Sequence, residues 1–332
     1  MKIAFLGDIV LNEKVKICDD IIEKINTSDF VLANLEGPII DKSGKYKTKK
    51  YGSLLSNNEN TINHILNQIN ISHISLYNNH TYDFGLKGLL NTVEFCNKNN
   101  IKILKPFNTL VKDSEIVRLV NTGLPEYFGI SAQSSNYGIN CNELLFTKNL
   151  KHEIKDSIVL GHFGIEMINS LSKYELNWFE NISGMRPKII IRHHPHCVQN
   201  SFVINEVKCY PSIGDFAFLH GKKKISTGLI VIYDSNTNKV DEFTIQLREN
   251  VLKIVENTEM DIKLSLNDAD KKLMRERLIR EYREGGYYTF KKFVKKILGR
   301  ENIKSSIYGS STDFIQPFII GEIFEENTDY SK

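Results

Sequence analysis

The sequence predicts an α/β fold in which two β-sheets pack as a sandwich with helices on the outside. Short apolar runs first alternate with stretches of helical periodicity; from Val203 onward strand follows strand. That combination fits a two-sheet sandwich better than one uniform parallel sheet. The residues able to do chemistry recur where the apolar runs end.

Lys2 to Leu6 reads as a buried strand. Cys18, Ile21, Ile22 and Ile25 follow at i, i+3, i+4, i+7 spacing, one face of a helix, before a strand over Phe30 to Leu35. The unit repeats with Ile62, Ile65, Leu66 and Ile69 on a helix and Ile71 to Leu76 as a strand. A third unit has Leu86, Leu89, Leu90 and Val93 on a helix and Ile101 to Leu104 as a strand. After Asn121 the pattern loosens, with strands at Ser157 to Leu160 and Lys188 to Ile191 around a helix near Tyr174 to Ile182. The final run comprises Val203 to Tyr210, Gly228 to Tyr233 and Asp241 to Leu247. These divisions assign residues 1–248 to the sandwich domain and 249–332 to a helical, basic C-terminal extension. There Phe290, Phe293, Val294, Ile297 and Leu298 oppose Lys291, Lys292, Lys295 and Lys296. A helix packed on the main domain with a solvated lysine face explains that stripe most simply; contact with a membrane surface or an assembly complex through 271–298 is the functional alternative.

The 332 residues suffice for one large domain with an appendage, and a net charge of +3 is too mild to argue for nucleic acid as a partner. The apolar run at the N-terminus is too short for a signal peptide, and no stretch approaches the roughly 18 to 20 apolar residues of a membrane span. The chain is therefore expected to be cytoplasmic, or peripheral to the inner face of the membrane. Its five cysteines include no C-x-x-C pair, which argues against both a disulfide framework and a thiolate zinc site.

Five polar clusters end the expected strands: Gly7-Asp8; Asn34-Leu35-Glu36-Gly37-Pro38; Asn78-Asn79-His80-Thr81-Tyr82-Asp83-Phe84-Gly85; Gly161-His162-Phe163-Gly164-Ile165-Glu166; and His193-His194-Pro195-His196. Ligand sites of α/β sheets assemble at the carboxyl ends of strands, so the clusters are expected to converge. Taken singly each has an ordinary explanation, such as a turn, a helix cap or a core histidine. Together they offer carboxylates, amides and imidazoles, the oxygen and nitrogen donors that suit a pair of divalent metal ions such as Mn, Fe or Zn. Alternate residues of an extended segment point apart, so His194 and His196 share a site only if the backbone turns, and Pro195 favours a turn.

The order GD, NLEGPI, NNHxxDxG, HFGIE, HHPH and then Pro211-Ser212-Ile213-Gly214-Asp215-Phe216 resembles the bacterial capsule-synthesis CapA (PGA_cap) family, a branch of the calcineurin-like metallophosphoesterase superfamily, over roughly residues 1–245. The resemblance implies a metallophosphoesterase-like two-sheet β-sandwich flanked by helices and a dinuclear metal centre. Asp8 and His196 would hold one cation, Asn79, His162 and His194 the other, with Glu36 between them. His80 would act as the acid on the leaving group, oriented by Asp83. Asn34, Lys49, Glu166, Arg192 and Asp215 are candidate substrate-binding residues, with Lys47 and Lys50 beside Lys49 in the same basic loop.

Three departures from the family pattern stand out. Val10, as the CapA branch itself tends to have, replaces the His many superfamily members carry two residues after the first Asp; Arg186-Pro187-Lys188 and Arg192 stand where Gly-Ala-Asp and a Gly just ahead of HHPH are usual; and Ile-Gly-Asp-Phe replaces Leu-Gly-Asn-Phe. Arg192 would either repel cations or clamp a phosphate. The resemblance implies a phosphoester hydrolase acting on a phosphorylated small-molecule or lipid-linked glycan of surface-polysaccharide synthesis. The alternatives are a non-catalytic assembly factor and a metal-dependent amide hydrolase acting on a poly-glutamate-like polymer.

Overall fold

The computed structural model describes residues 1–41, 44–46, 54–122, 150–164, 166–171, 173–218 and 225–256. Beyond residue 256 the expected C-terminal appendage, including its 271–298 stripe, lies outside the described residues. In chain order the elements are β1 (Lys2–Val10), β2 (Lys16–Ile17), α1 (Asp19–Ile25), β3 (Phe30–Leu35), β4 (Ile39–Ile40), β5 (Asn57–Asn58), α2 (Glu59–Leu66), β6 (His73–Ser75), α3 (Gly85–Lys98) and β7 (Lys102–Ile103). There follow β8 (Phe107–Lys112), β9 (Glu115–Asn121), α4 (Leu150–Ile154), β10 (Ile158–His162), α5 (Lys173–Ser183) and β11 (Ile189–His193). The last run is β12 (Val198–Gln199), β13 (Phe202–Ile204), β14 (Val207–Tyr210), β15 (Ser212–Ile213), β16 (Asp215–Phe218), β17 (Ile225–Asp234), β18 (Lys239–Arg248) and β19 (Val251–Ile254).

Two large sheets result. One is nine-stranded, ordered β2-β19-β18-β17-β1-β3-β6-β7 with β16 against β1; the other is six-stranded, ordered β13-β14-β11-β10-β9-β8. Side-chain alternation along each strand builds the layers. On β1, Ile3 and Phe5 enter the apolar cluster between the sheets with Ile158, Leu160, Ile189 and Ile191. Ala4 and Leu6 face the other way, onto the helical residues Ile21, Ile62, Ile65 and Leu89. Across the second sheet, Val159 and Ile190 pack on Trp178, Phe179 and Ile182 of α5. At about 1.5–3 kcal/mol for each buried large aliphatic or aromatic side chain, these clusters are the main force holding the layers together.

β1 changes neighbours halfway along its length. Its first residues pair with β17 (Lys2↔Asp234 to Phe5↔Val231), whereas Asp8, Ile9 and Val10 pair with Asp215, Ala217 and Phe218 of β16. The backbones cross so closely that a Cβ on Gly7 would lie 2.2 Å from the Gly214 carbonyl oxygen, and one on Gly228 would lie 1.9 Å from that of Asp215. Only hydrogen fits at either position, and the crossing sets Asp8 and Asp215 side by side.

Three features depart from the sequence reading. The single strand expected over Val203 to Tyr210 is a hairpin, β13 and β14, turning at Asn205 and Glu206 with φ of 50° and 67°. The β8–β9 hairpin was not expected. The first sheet also continues past the expected boundary at 248, because β19 pairs with β18 and β2. Among the described residues no helix is long and apolar enough to cross a membrane.

Candidate metal centre

β1 runs parallel to β3 and β10 parallel to β11, and the four strands bring Asp8, Asn34, His162 and His193 to the same end of the sandwich. Glu36 and the Asn78 to Asp83 loop follow β3 and β6 directly, and His194 to His196 follow β11. The turn needed to gather both histidines of the HHPH run is made by left-handed backbone at His194 and His196, with φ of 95° and 53° on either side of Pro195. Such conformations are costly for residues with a side chain and persist where their surroundings enforce them. His194 is held in this way, since its N–H donates to Asp8 Oδ2 at 3.2 Å.

Two groups result, Glu36 with His162 and His194, and Glu36 with Asp8 and His196; within each, one ligand atom per residue lies within 4.8 Å of the others. All five residues are buried, and Glu36 belongs to both groups. Neither Glu36 oxygen accepts a hydrogen bond among the described residues. Oε1 lies 3.5 Å from His162 Nε2 and 3.9 Å from His80 Nε2, and Oε2 lies 3.6 Å from His196 Nε2. A buried carboxylate left without partners costs several kcal/mol. Cations on its two sides would satisfy it, and carboxylate and imidazole donors without thiolates fit Mn, Fe or Zn.

The electrostatics agree with this fit. Burial, then the charge of Glu36, with Asp215 adding, raises the Asp8 carboxyl well above its ordinary value, against the pull of His196 and Asn34. Burial alone would lower His196, but Glu36, Asp215 and Asp8 outweigh it and raise the imidazole. Burial and neighbouring imidazoles push His162 far down and His194 to about 3, which favours the neutral form of both rings. Asn79 Oδ1 lies 2.9 Å from His162 Nε2, beside the same group. His80 sits at the rim of the pair, its Nδ1 2.7 Å from Asp83 Oδ2, and Asp83 Oδ2 also accepts the Leu55 N–H at 2.7 Å.

The candidate substrate-binding residues divide. Asn34 is taken up inside the centre: its Nδ2 donates to Asp8 Oδ1 at 2.7 Å and its Oδ1 accepts from Asn78 at 3.2 Å, so it positions Asp8 instead of facing a substrate. Arg192 is not at the centre at all. Ile189, Ile191 and His193 occupy one face of β11 and Ile190 and Arg192 the other, so the guanidinium lies under α5, donating to Glu175 Oε1 at 2.6 Å and stacking 4.6 Å from the Phe163 ring. Its side chain does not face the ligand atoms, although its charge adds to the lowering of His162. Asp215 is buried against His196, 2.9 Å from its Nδ1. Glu166 is half-buried, and its charge opposes the lowering of His194. Lys49, with Lys47 and Lys50, lies outside the described residues.

Two asparagines to which the sequence assigns no role support the site. Asn78 donates to the Leu35 carbonyl at 2.9 Å and accepts the His80 N–H at 3.0 Å. Fully buried Asn57 donates to the carbonyls of Glu36 and Gly37 at 3.1 and 2.8 Å, pinning the backbone that aims Glu36. Its only signal is a polar Ser-Asn-Asn-Glu-Asn stretch, which reads equally as a helix cap.

Fold and site together define the class: an α/β two-sheet sandwich with candidate metal ligands gathered at the strand ends. Residues 2–104 match the family described as bacterial capsule synthesis protein PGA_cap. The chain is 24% identical over 266 residues to the PGA biosynthesis protein CapA of Bacillus subtilis (strain 168), covering 73% of this chain and 70% of that one. It is 25% identical over 292 residues to the capsule biosynthesis protein CapA of Bacillus anthracis, covering 77% and 69%. Over residues 2–104, and in these two relatives, the chain is thus similar to the CapA (PGA_cap) family. Among solved structures, a hypothetical protein from Thermus thermophilus overlaps with 74% of this chain and 100% of its own, at 11% identity and a TM-score of 0.42, a likeness too loose to bear on function.

Proposed function

We propose that the chain is a metal-dependent phosphoester hydrolase acting on a phosphorylated small-molecule or lipid-linked glycan intermediate of capsule or other surface-polysaccharide synthesis, in the cytoplasm or at the inner face of the membrane. The observation that carries this reading is Glu36, a fully buried carboxylate shared by two candidate ligand groups, with no hydrogen bond to either oxygen among the described residues. Asp8, Glu36 and His196 would hold one divalent cation, and Glu36, Asn79, His162 and His194 a second. Such a pair supplies Lewis acidity and an activated nucleophile for in-line displacement at phosphorus.

The chain's own residues supply the rest. His80 Nδ1 is engaged by Asp83, which leaves Nε2 directed toward Glu36 and the centre, 3.9 Å from Oε1. From there it can give a proton to the departing oxygen, while Asp83 fixes the tautomer and ring orientation. Neither residue belongs to the two ligand groups, so proton delivery and metal binding are separable by mutation. With Mn added, purified protein should cleave a chromogenic phosphoester, and His80→Ala should lower kcat by about 10²- to 10⁴-fold while metal content stays at the wild-type level. Full activity in that variant would remove His80 as the acid. A metal-loaded wild type inert on phosphoesters would favour a non-catalytic assembly role.

A further inference from the structure

Asp215 belongs to neither ligand group, yet it is built into the centre. It is 1% exposed, and the β1–β16 register sets it directly beside Asp8. The crossing at Gly7, Gly214 and Gly228 leaves that register no slack, and the Asp8 N–H donates to the Gly214 carbonyl at 3.1 Å. Two carboxylates therefore project side by side toward one imidazole. His196 Nδ1 lies 2.9 Å from Asp215 Oδ1 and 3.4 Å from Asp8 Oδ2. Asp215 is the closer partner of Nδ1, which leaves Nε2 on the side of Glu36.

Resting on the metal-centre reading above, we infer that Asp215 is a positioning residue for His196: it holds the ring with Nε2 toward Glu36 and, by taking the Nδ1 hydrogen bond, keeps Asp8 available to a cation. The His196 Nε2 distance of 3.6 Å to Glu36 Oε2 matches that orientation. Without Asp215, the Nδ1–H of His196 would turn to Asp8 Oδ2, the next carboxylate oxygen within reach. One substitution would then both loosen a ligand and occupy another. Asparagine at 215 would keep an acceptor for Nδ1 while losing the charge, whereas alanine would lose both.

The test is calorimetric titration of chelator-stripped wild type, Asp215→Asn and Asp215→Ala with MnCl2, with thermal unfolding of each metal-free protein to establish that it is folded. Wild type should take up two equivalents. Asp215→Ala should weaken one of them by about 10- to 100-fold and leave the other near its wild-type affinity, a selectivity that a general loosening of the fold would not produce. Asp215→Asn should fall between the two proteins. Because asparagine preserves shape, it keeps the test informative if alanine fails to fold. Wild-type affinity at both sites in the folded variants overturns the inference while leaving the metal centre intact. A wild type that binds no Mn overturns the metal-centre reading itself.

Discussion

Glu36 and the histidines around it illustrate why single residues were legible only in part. A carboxylate or imidazole directly after an apolar run is visible in the sequence, which is why Asp8, Glu36, His162, His194 and His196 were found and do meet in one pocket. Arg192 was misjudged although its direction was readable, because parity on a strand sets it opposite His193. Asn57 and Asn78 act through long-range backbone contacts that no local pattern encodes. The buried imidazoles also have a consequence for pH. Burial lowers His73 to about 4 and His193 and His194 to about 3, with His162 well below its ordinary value. In acid the unfolded chain therefore binds protons at these four positions that the folded chain refuses, and stability falls as pH drops from about 6.5. Asp8 and His196, raised in the folded state, work in the opposite sense but are two groups against four. Chemical denaturation of metal-free protein should show lower stability at about pH 5 than at about pH 6.5. Equal stability at both would mean that these rings are protonated in the folded chain.

At the level of elements, strands and helices with a strong period were read correctly because their own sequence determines which face is buried. The run Phe30 to Leu35 is the whole of β3, and the Ile62, Ile65 stripe lies on α2. The β8–β9 hairpin was missed because it is half exposed: Val111 and Ile116 face solvent at 56% and 63%, and Lys112 and Asp113 break the apolar run. β16 was missed because its role comes from β1 parting from β17, an event encoded in three glycines far apart in sequence. The crossing makes a prediction at this scale. In Gly228→Ala the new methyl would meet the Asp215 carbonyl oxygen at 1.9 Å, so a backbone must move. Overpacking of this kind costs about 1–3 kcal/mol. The variant should unfold at lower denaturant concentration than wild type, and an unchanged midpoint would show that β16 and β17 have room to separate.

For the whole molecule, the sandwich explains how residues from distant stretches of chain become neighbours. Parallel strands in both sheets deliver their following loops to the same end, so a site can be assembled from either sheet without a dedicated domain. The sequence displayed the loops, and the fold supplied their convergence. The account depends on that convergence creating a place for paired cations around Glu36. Elemental analysis of protein purified without chelator tests this most directly, with Glu36→Gln alongside. Two equivalents of Mn, Fe or Zn per wild-type chain, and a loss at both positions in the variant, are the expected result. A wild-type chain carrying no transition metal, and taking none up when it is supplied, would contradict the account.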